Sequence, residues 1–258
     1  MGAAGLWMNE ARRLLDHIET TQMDAIAEAA AICADTIAAG GLVHLFGSGH
    51  SRIPAEEMFP RYGSYPGFHP IVELSMTFHT EIVGSNGQRQ AMFIEGVEGL
   101  AEVILSNYTF GPDDAFVVFS VSGRSAVPVE IAIGAKHRGL EVIAVTSLQE
   151  SSASPAAHPS GQRLFEIADL VIDIGTPPGD ALVTLDGLDA PVGPGSTLAY
   201  AAIVNEIKVG TAELLVAAGK MPPVLAAASV VGEEESQRSF QTAYAEYARR
   251  LASILSGR

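Results

Sequence analysis

The sequence predicts an α/β protein in which a parallel sheet carries helices on both faces, with extra helices at the N- and C-termini. The main observation is that short apolar runs alternate with segments of helical spacing. Two of the runs, residues 115–119 and 142–145, are almost continuously apolar, which is typical of strands buried on both faces. The 258 residues are 48% hydrophobic and 17% charged, which suffices for one sizeable core. We therefore expect a single domain over residues 1–258, with its core at about 40–220.

The individual elements follow from apolar spacing and from turn residues. Apolar residues at helical intervals predict an N-terminal helical segment over residues 6–38, which the two glycines after it end. The segments predicted next are a strand at 42–46, a helix at 52–62, a strand at 71–74 and a helix at 88–106. Those predicted in the second half are strands at 115–119, 142–145 and 170–174, helices at 126–138 and 197–218, a loop at 147–163 and a last helix at about 235–255.

Charge and cysteine content exclude several classes of protein. The formal net charge is −15 with only 15 Lys and Arg, and such an acidic surface repels a phosphate backbone, so no nucleic-acid partner is expected. The one cysteine, Cys33, excludes a disulfide framework and cysteine-based zinc sites. No apolar stretch is long enough to span a bilayer and no secretion signal is recognised, so we expect a cytoplasmic protein with no membrane partner.

A first candidate binding loop, GSGHS, follows the predicted strand at 42–46 directly and opens a helix. In open α/β sheets, ligands bind beyond the carboxyl ends of the strands, and small residues let the backbone approach an anion. Ser48, His50 and Ser51 are therefore candidate ligand contacts. The alternative is an ordinary tight turn between a strand and a helix. The loop does not have the spacing of a dinucleotide-binding motif.

A second loop of the same kind, SVSGRS, follows the apolar run AFVVF directly. It offers three neutral hydroxyl donors, Ser120, Ser122 and Ser125, and Gly123 permits a close turn. Arg124 adds a positive charge beside them. A single serine before a helix is often no more than an N-cap. Three hydroxyls around a glycine, in the second such loop of the chain, favour an anion site.

At these two loops the chain resembles the sugar isomerase (SIS) domain family. That family is similar in having a G-x-G-x-S loop after its first strand and an S-x-S-G-x-[ST] loop after a later one, and the resemblance covers roughly residues 40–220. The tracts GSGHSRIPAEEMFPRYG, AVTSLQES, HPSGQRL and VGPGSTLAYAAIVNEI resemble an uncharacterised bacterial group of stand-alone proteins within the family. The resemblance implies a sandwich of helices around the sheet and a site for a sugar phosphate.

Residue roles follow from the resemblance at the matching positions. In the family, the hydroxyls of the second loop bind the sugar phosphate, which implies Ser120, Ser122 and Ser125 together with the N–H of Gly123. The serine that ends the first loop contacts phosphate or sugar, which implies Ser51. No cofactor is implied. Family members commonly pair through their helices, which implies a homodimer or homotetramer.

The phosphoheptose isomerase branch of the family suggests catalytic residues. Its first helix carries an A-E-L-x-x-R stretch with a catalytic Glu, and the matching AEEMFPR implies Glu57 as acid/base and Arg61 as a binding residue. Glu56 is the alternative glutamate. The gap from the first loop is about one helical turn shorter here. The branch has a catalytic His in Q-E-I-H on its late helix, where this chain has Lys208 in NEIK.

Two histidines are candidates for contact with the sugar. His50 lies inside the first loop, and His158 lies in the long loop predicted at 147–163, which we expect to close over the site. His44 lies within a predicted strand and is expected to be a core residue. No His-x-x-x-His or H-E-x-x-H spacing occurs, so no metal is expected, although a carboxylate–His site assembled across the fold stays open.

Three functions remain open at this point. The first is aldose–ketose isomerisation of a sugar phosphate, in which Glu57 transfers the proton through a cis-enediol and His50 or Lys208 serves the oxygens. The second is a non-catalytic sugar-phosphate sensor or regulatory subunit, although residues 1–40 are too short and too acidic for a DNA-binding module. The third is a lyase similar to the etherase that removes lactate from N-acetylmuramic acid 6-phosphate.

Overall fold

A computed structural model describes residues 3–77 and 88–255. The helices are Leu6–Thr21 (α1), Met23–Ala39 (α2), Ile53–Met58 (α3), Gln88–Ile94 (α4), Leu100–Leu105 (α5), Ala126–His137 (α6), Leu148–Ser152 (α7), Leu164–Ile167 (α8), Ser196–Ala217 (α9), Ala228–Val231 (α10) and Glu233–Leu255 (α11). The strands are Val43–Gly47 (β1), Phe68–Ile71 (β2), Ala115–Phe119 (β3), Glu141–Thr146 (β4), Leu170–Asp173 (β5), Ala181–Val183 (β6) and Val192–Pro194 (β7). No helix in the described ranges is long and apolar enough to cross a membrane.

The central sheet has five parallel strands in the order β2-β1-β3-β4-β5. Because β1 lies between β2 and β3, the chain continues from β1 toward one edge of the sheet and from β3 toward the other edge. Such a reversal of strand order opens a crevice beyond the carboxyl ends of the two strands. The strands β6 and β7 form a separate antiparallel pair. The predicted α/β class with a parallel sheet is confirmed.

Hydrophobic cores lie on both faces of this sheet because side chains alternate along each strand. On β3, Val117 and Phe119 point into the core beneath α2 and α9, whereas Phe116 and Val118 point into the core beneath α5 and α6. All four side chains are fully buried. The helix α9 is buried against α2, where a side chain at Gly210 would press on Ala30 at 2.9 Å. The sheet is therefore a rigid base for the loops at its carboxyl edge.

Most predicted elements are confirmed, and the differences have local causes. The predicted segment 6–38 is two helices, because Gln22 leaves helical geometry and its side-chain oxygen accepts a hydrogen bond from the backbone N–H of Asp173. The predicted helix 88–106 is also two helices, separated at Gly99, whose φ is 81°. The predicted loop 147–163 begins with the short helix α7. The pair β6 and β7 was not expected from the sequence.

The second strand lies earlier in the chain than the apolar pattern indicates. It was expected at 71–74, but β2 pairs with β1 in a register that places Phe68 opposite Val43 and Ile71 opposite Phe46. A His and a Pro inside this strand conceal its apolar pattern. The helix expected at 52–62 ends at Met58, as is common shortly before a proline such as Pro60.

The N-terminal and C-terminal helices pack onto the domain. Trp7 of α1 donates its indole N–H to the carbonyl oxygens of Gly193 and Pro194, both at 3.2 Å. On α11, Arg250 donates to the carbonyl oxygens of Ile37 and Gly41 at 3.0 and 2.8 Å and so caps the end of α2. Part of each terminal helix thus packs within the chain. Self-association, which the resemblance implies, stays a prediction.

A buried cluster of polar side chains lies near the amino ends of β1 and β3. The Nδ1 atoms of His44 and His69 are 2.9 Å apart, and His44 Nε2 lies 3.3 Å from a carboxylate oxygen of Asp114. The Asp114 carboxylate also accepts the backbone N–H groups of Leu42 and Gly111. His44 is thus a core residue, as expected. Burial first, and the neighbouring His44 second, lower the pKa of His69 to about 3, although Asp114 opposes the shift.

The lowered pKa of His69 predicts that the folded protein loses stability in mild acid. The unfolded chain binds a proton at His69 below about pH 6.5, whereas the folded chain does not until about pH 3. Protonation of His69 therefore does not affect the free energy of unfolding above about pH 6.5. Between about pH 6.5 and pH 3 it lowers that free energy by roughly 1.4 kcal/mol for each pH unit. Urea unfolding at several pH values measures the slope. His69→Gln should flatten it, whereas the exposed His137→Gln should not; equal slopes in both variants would contradict this origin.

Candidate functional site

The two serine-containing loops meet at the crevice that the strand order creates. The first loop follows β1 and the second follows β3, and Gly47 at the end of β1 pairs with Phe119 at the end of β3. Between and above the loops lies a cavity of about 450 Å³. The polar side chains that line it are Ser48, His50, Ser51, Gln88, Glu95, Ser120, Ser122, Ser125, Glu150, Asp180, Ser196 and Thr197. The structure therefore brings together the candidate serines of both loops and His50.

The first loop turns sharply through a single 3₁₀ turn, Gly49–Arg52. Gly47 must be a glycine, since a Cβ atom there would lie 2.1 Å from the carbonyl oxygen of Ser51. Gly49 has a φ of 54°, in the left-handed region that favours glycine. The turn leaves His50 exposed at the cavity and Ser48 buried at its base.

The second loop is closed by its own hydrogen bond. The N–H of Gly123 donates to the hydroxyl of Ser120 at 3.1 Å, and Gly123 has a φ of 59°. Ser125 precedes the first residue of α6, yet its hydroxyl makes no capping bond to that helix. The Ser125 hydroxyl instead donates to the carboxylate of Glu95 at 3.1 Å, which disfavours the simple N-cap interpretation for this serine.

A glutamate that the sequence does not single out joins the two loops. Glu95, just after α4, accepts the hydroxyl of Ser48 at 2.6 Å on one carboxylate oxygen and that of Ser125 at 3.1 Å on the other. Its backbone carbonyl accepts the N–H of Val127 in the first turn of α6 at 2.9 Å. The carboxylate is therefore held at the point where hydroxyls from both loops converge.

The lining of the cavity carries two further carboxylates. The Asp180 carboxylate accepts both the backbone N–H and the hydroxyl of Ser196 at the start of α9, at 2.8 and 2.6 Å, and Asp180 has a left-handed φ of 63°. Glu150 on α7 is half-buried and accepts the N–H of Gly179 at 2.6 Å. Beneath them lies Tyr200, whose pKa is raised by burial and, further, by Asp180, while a hydrogen bond to Ser51 opposes the rise.

Glu57 and Lys208 lie next to each other, but neither lines this cavity. The Glu57 carboxylate is 2.7 Å from Arg61 and 3.7 Å from the ammonium nitrogen of Lys208. Burial lowers the pKa of Lys208; Glu57 opposes the shift and Arg61 adds to it. Along α9, twelve residues separate Ser196 at the cavity from Lys208, which corresponds to ~18 Å.

Arg124 and His158 also lie outside the cavity. Arg124 donates from Nε to the carbonyl of Pro155 at 2.8 Å. His158 lies between the hydroxyl of Ser160 at 2.8 Å and the carboxylate of Glu130 on α6 at 3.3 Å. In this conformation both side chains fasten the segment after β4 to the domain rather than face a ligand, and their binding roles stay predictions.

The cavity is unusual for an anion site in its charge. Among the described residues that line it there is no Lys or Arg, whereas three carboxylates are present. The described parts of the chain also contain no group of three or more His, Cys, Asp or Glu residues placed to hold a metal ion. The donors that the described lining offers an anion are hydroxyls, backbone N–H groups and the ring of His50.

The fold and these loops define the class of the protein: a parallel α/β protein with small hydroxyl-bearing loops at the point where the strand order reverses. Residues 6–147 match the family described as SIS domain, and the chain belongs to that family. It is 33% identical over 238 residues to a UPF0309 protein of Geobacillus kaustophilus, covering 91% of this chain and 92% of that one. A UPF0309 protein of Streptomyces griseus is 34% identical over 243 residues, with coverage of 93% and 94%.

Solved structures with the same fold include two phosphoheptose isomerases. The one from Francisella tularensis has a TM-score of 0.52 at 16% identity and covers 80% of this chain and 94% of its own. The one from Neisseria gonorrhoeae has a TM-score of 0.50 at 14% identity, with coverage of 79% and 94%. At these identities the likeness shows the fold alone.

Proposed function

We propose that this protein binds a sugar phosphate in the cavity between the two loops. The observation that supports this best is the convergence of the Ser48 and Ser125 hydroxyls, from separate loops, on one anionic group, the Glu95 carboxylate. Hydroxyls and backbone N–H groups bind phosphate without a basic surface. The volume of about 450 Å³ lies within the usual range for a small-molecule site.

We further propose that the bound sugar phosphate undergoes aldose–ketose isomerisation. The reaction needs a base that removes the proton from the carbon next to the carbonyl, giving a cis-enediol, and a second group that serves the oxygens. Binding the remote phosphate fixes the reacting carbons and contributes to the rate. The cavity offers Glu150 as a carboxylate base and His50 as the group at the oxygens, since both line it.

Glu57, the base that resemblance to phosphoheptose isomerases implies, is less favoured by the geometry of a single chain. Its carboxylate forms an ion pair with Arg61 and lies beside Lys208, away from the cavity. It stays a prediction, which requires either a large rearrangement or the cavity of a neighbouring copy. The sensor and etherase functions make the same use of the two loops, so they differ from the isomerase only in what happens after binding.

Binding is tested by removing hydroxyls from the second loop. The double variant Ser122→Ala and Ser125→Ala should weaken binding of sugar phosphates by about 2 kcal/mol, since each neutral hydrogen bond contributes on the order of 1 kcal/mol. Calorimetry with a panel of sugar phosphates and the matching unphosphorylated sugars measures the difference. Ser106→Ala, on the exposed side of α5, is the control. Unchanged affinity in the double variant would contradict the proposed site.

A further inference from the structure

Glu95 places a hydrogen-bond acceptor directly between the serine hydroxyls of the two loops. Both of its carboxylate oxygens are occupied by serine hydroxyls, and its backbone carbonyl is fixed to the first turn of α6 through Val127. The side chain therefore starts from an anchored position, at the loops themselves and not at the entrance of the cavity. A ligand phosphate that accepts these hydroxyls takes the place of the carboxylate as their acceptor and lies beside it, because both hydroxyls converge on Glu95.

A fully ionised phosphate and an ionised carboxylate repel each other at such a distance, especially where solvent is partly excluded. The cavity offers little compensation. Its other titratable groups are His50 from the first loop, Glu150 from α7 and Asp180 before α9, and among the described lining residues no Lys or Arg is present. A single proton on the phosphate removes this repulsion. The protonated phosphate oxygen then donates a hydrogen bond to the Glu95 carboxylate, as a serine hydroxyl does.

We propose that Glu95 determines the specificity of this site for a protonated phosphate monoester, the monoanion, by accepting the hydrogen bond that its P–OH group donates. The inference rests on the proposed function, because it assumes that a sugar phosphate binds at these loops. A phosphate monoester has a second pKa of about 6, so it supplies the proton at modest cost near neutral pH. A sulfate ester stays fully ionised, has no proton to donate, and is rejected.

The proton balance gives the proposal a direct signature. At about pH 7.5 the free ligand is mostly the dianion, so binding as the monoanion takes up about one proton from solvent. The proton lies between a phosphate oxygen and a Glu95 oxygen; no covalent bond forms or breaks. Affinity should therefore decrease by about tenfold for each pH unit above the second pKa of the ligand.

Calorimetry at about pH 7.5 in two buffers of different ionisation enthalpy measures the proton uptake, with glucose 6-phosphate, fructose 6-phosphate and glucosamine 6-phosphate as probes and glucose 6-sulfate as the comparison. Wild-type protein should take up about one proton and prefer the phosphate over the sulfate ester by about tenfold or more. Glu95→Gln should lose both the uptake and the preference, because an amide also donates to a fully ionised ester. Glu98→Gln, the same change three residues further on at an exposed position, should retain both.

The outcomes separate this inference from the proposed function. Binding of a phosphate probe without proton uptake by the wild type overturns the role of Glu95 and leaves the sugar-phosphate site intact. Uptake that persists in Glu95→Gln also overturns it and assigns the proton to another group such as His50. If the wild type binds none of the phosphate probes at millimolar concentration, both proposals fail. If Glu95→Gln does not fold, His50→Gln separates the two groups: it should still take up about one proton on binding, and loss of the uptake in this variant would assign the proton to His50 and overturn the role of Glu95.

Discussion

Glu150→Gln is expected to slow exchange of the sugar proton with solvent deuterium by roughly 10²–10⁴-fold, the usual contribution of one acid/base group. Gln keeps the shape and can no longer accept the proton from the carbon next to the carbonyl. The loss should appear in the exchange rate and not in ligand affinity, because Glu150 is separate from the serine hydroxyls that hold the phosphate. Incubating each bound sugar phosphate in deuterated buffer and recording the proton spectrum gives the rate.

Glu57→Gln is the informative comparison. The resemblance to phosphoheptose isomerases implies Glu57 as the base, whereas the geometry of the cavity favours Glu150. With its carboxylate paired to Arg61 outside the cavity, Glu57 should be replaceable with little change in exchange. If Glu57→Gln abolishes exchange and Glu150→Gln does not, the base is Glu57 and our assignment is wrong. If wild-type protein exchanges no sugar phosphate that it binds, the sensor function replaces the isomerase, and release of lactate from a lactyl ether substrate would identify the etherase.

Arg250→Ala is expected to destabilise the fold by about 2–4 kcal/mol, because a hydrogen bond from a charged group contributes roughly 1.5–3 kcal/mol and Arg250 makes several. Arg250 is only 5% exposed and binds the Glu246 carboxylate at 2.8 Å as well as the carbonyl oxygens of Ile37 and Gly41. Its removal takes a charged donor from each of these acceptors. Two of them keep another donor: the N–H of Gly40 for Ile37, and Arg249 for Glu246. The free energy of unfolding from urea titration measures the loss.

The neighbouring Arg249 is a matched control for that prediction. It binds the same Glu246 carboxylate at 2.7 Å, but its side chain is 63% exposed. An exposed ion pair contributes roughly 0–1 kcal/mol, so Arg249→Ala should change stability little. Equal losses from the two variants would show that the contact to Glu246 matters and that the caps on the end of α2 do not.

The sequence was sufficient to predict the sheet and the two loops, because both depend on local signals. The continuous apolar run AFVVF predicts a buried strand. The small residues of GSGHS and SVSGRS follow predicted strands directly. Since parallel strands place their carboxyl ends at one edge, the loops were bound to lie on the same side of the sheet. Their direct contact depends on β1 and β3 being neighbours, which only the strand order decides.

The rest of the site depends on contacts between distant segments, which leave no pattern in the sequence. Glu95 and Asp180 lie in irregular segments, 47 and 16 residues from the partners Ser48 and Ser196, and nothing in their neighbourhood distinguishes them from surface carboxylates. Local similarity suggested Glu57, but its orientation depends on how α3 packs against α9. The pair Gly179-Asp180 is the one local signal in the sequence, and it indicates a turn and not a ligand site.

The contact between Trp7 and the carbonyl groups of Gly193 and Pro194 has a consequence for folding in the cell. It spans 186 positions of the chain. At a synthesis rate of 5–20 residues per second, the ribosome takes roughly 10–40 s to add that intervening length. For most of this interval α1 has been made but β6, β7 and α9 have not, so the side of the helix that packs against them stays without its native partners. Nascent chains of this protein should therefore engage chaperones through the first 20 or so residues, and should release them only after α9 has been synthesised.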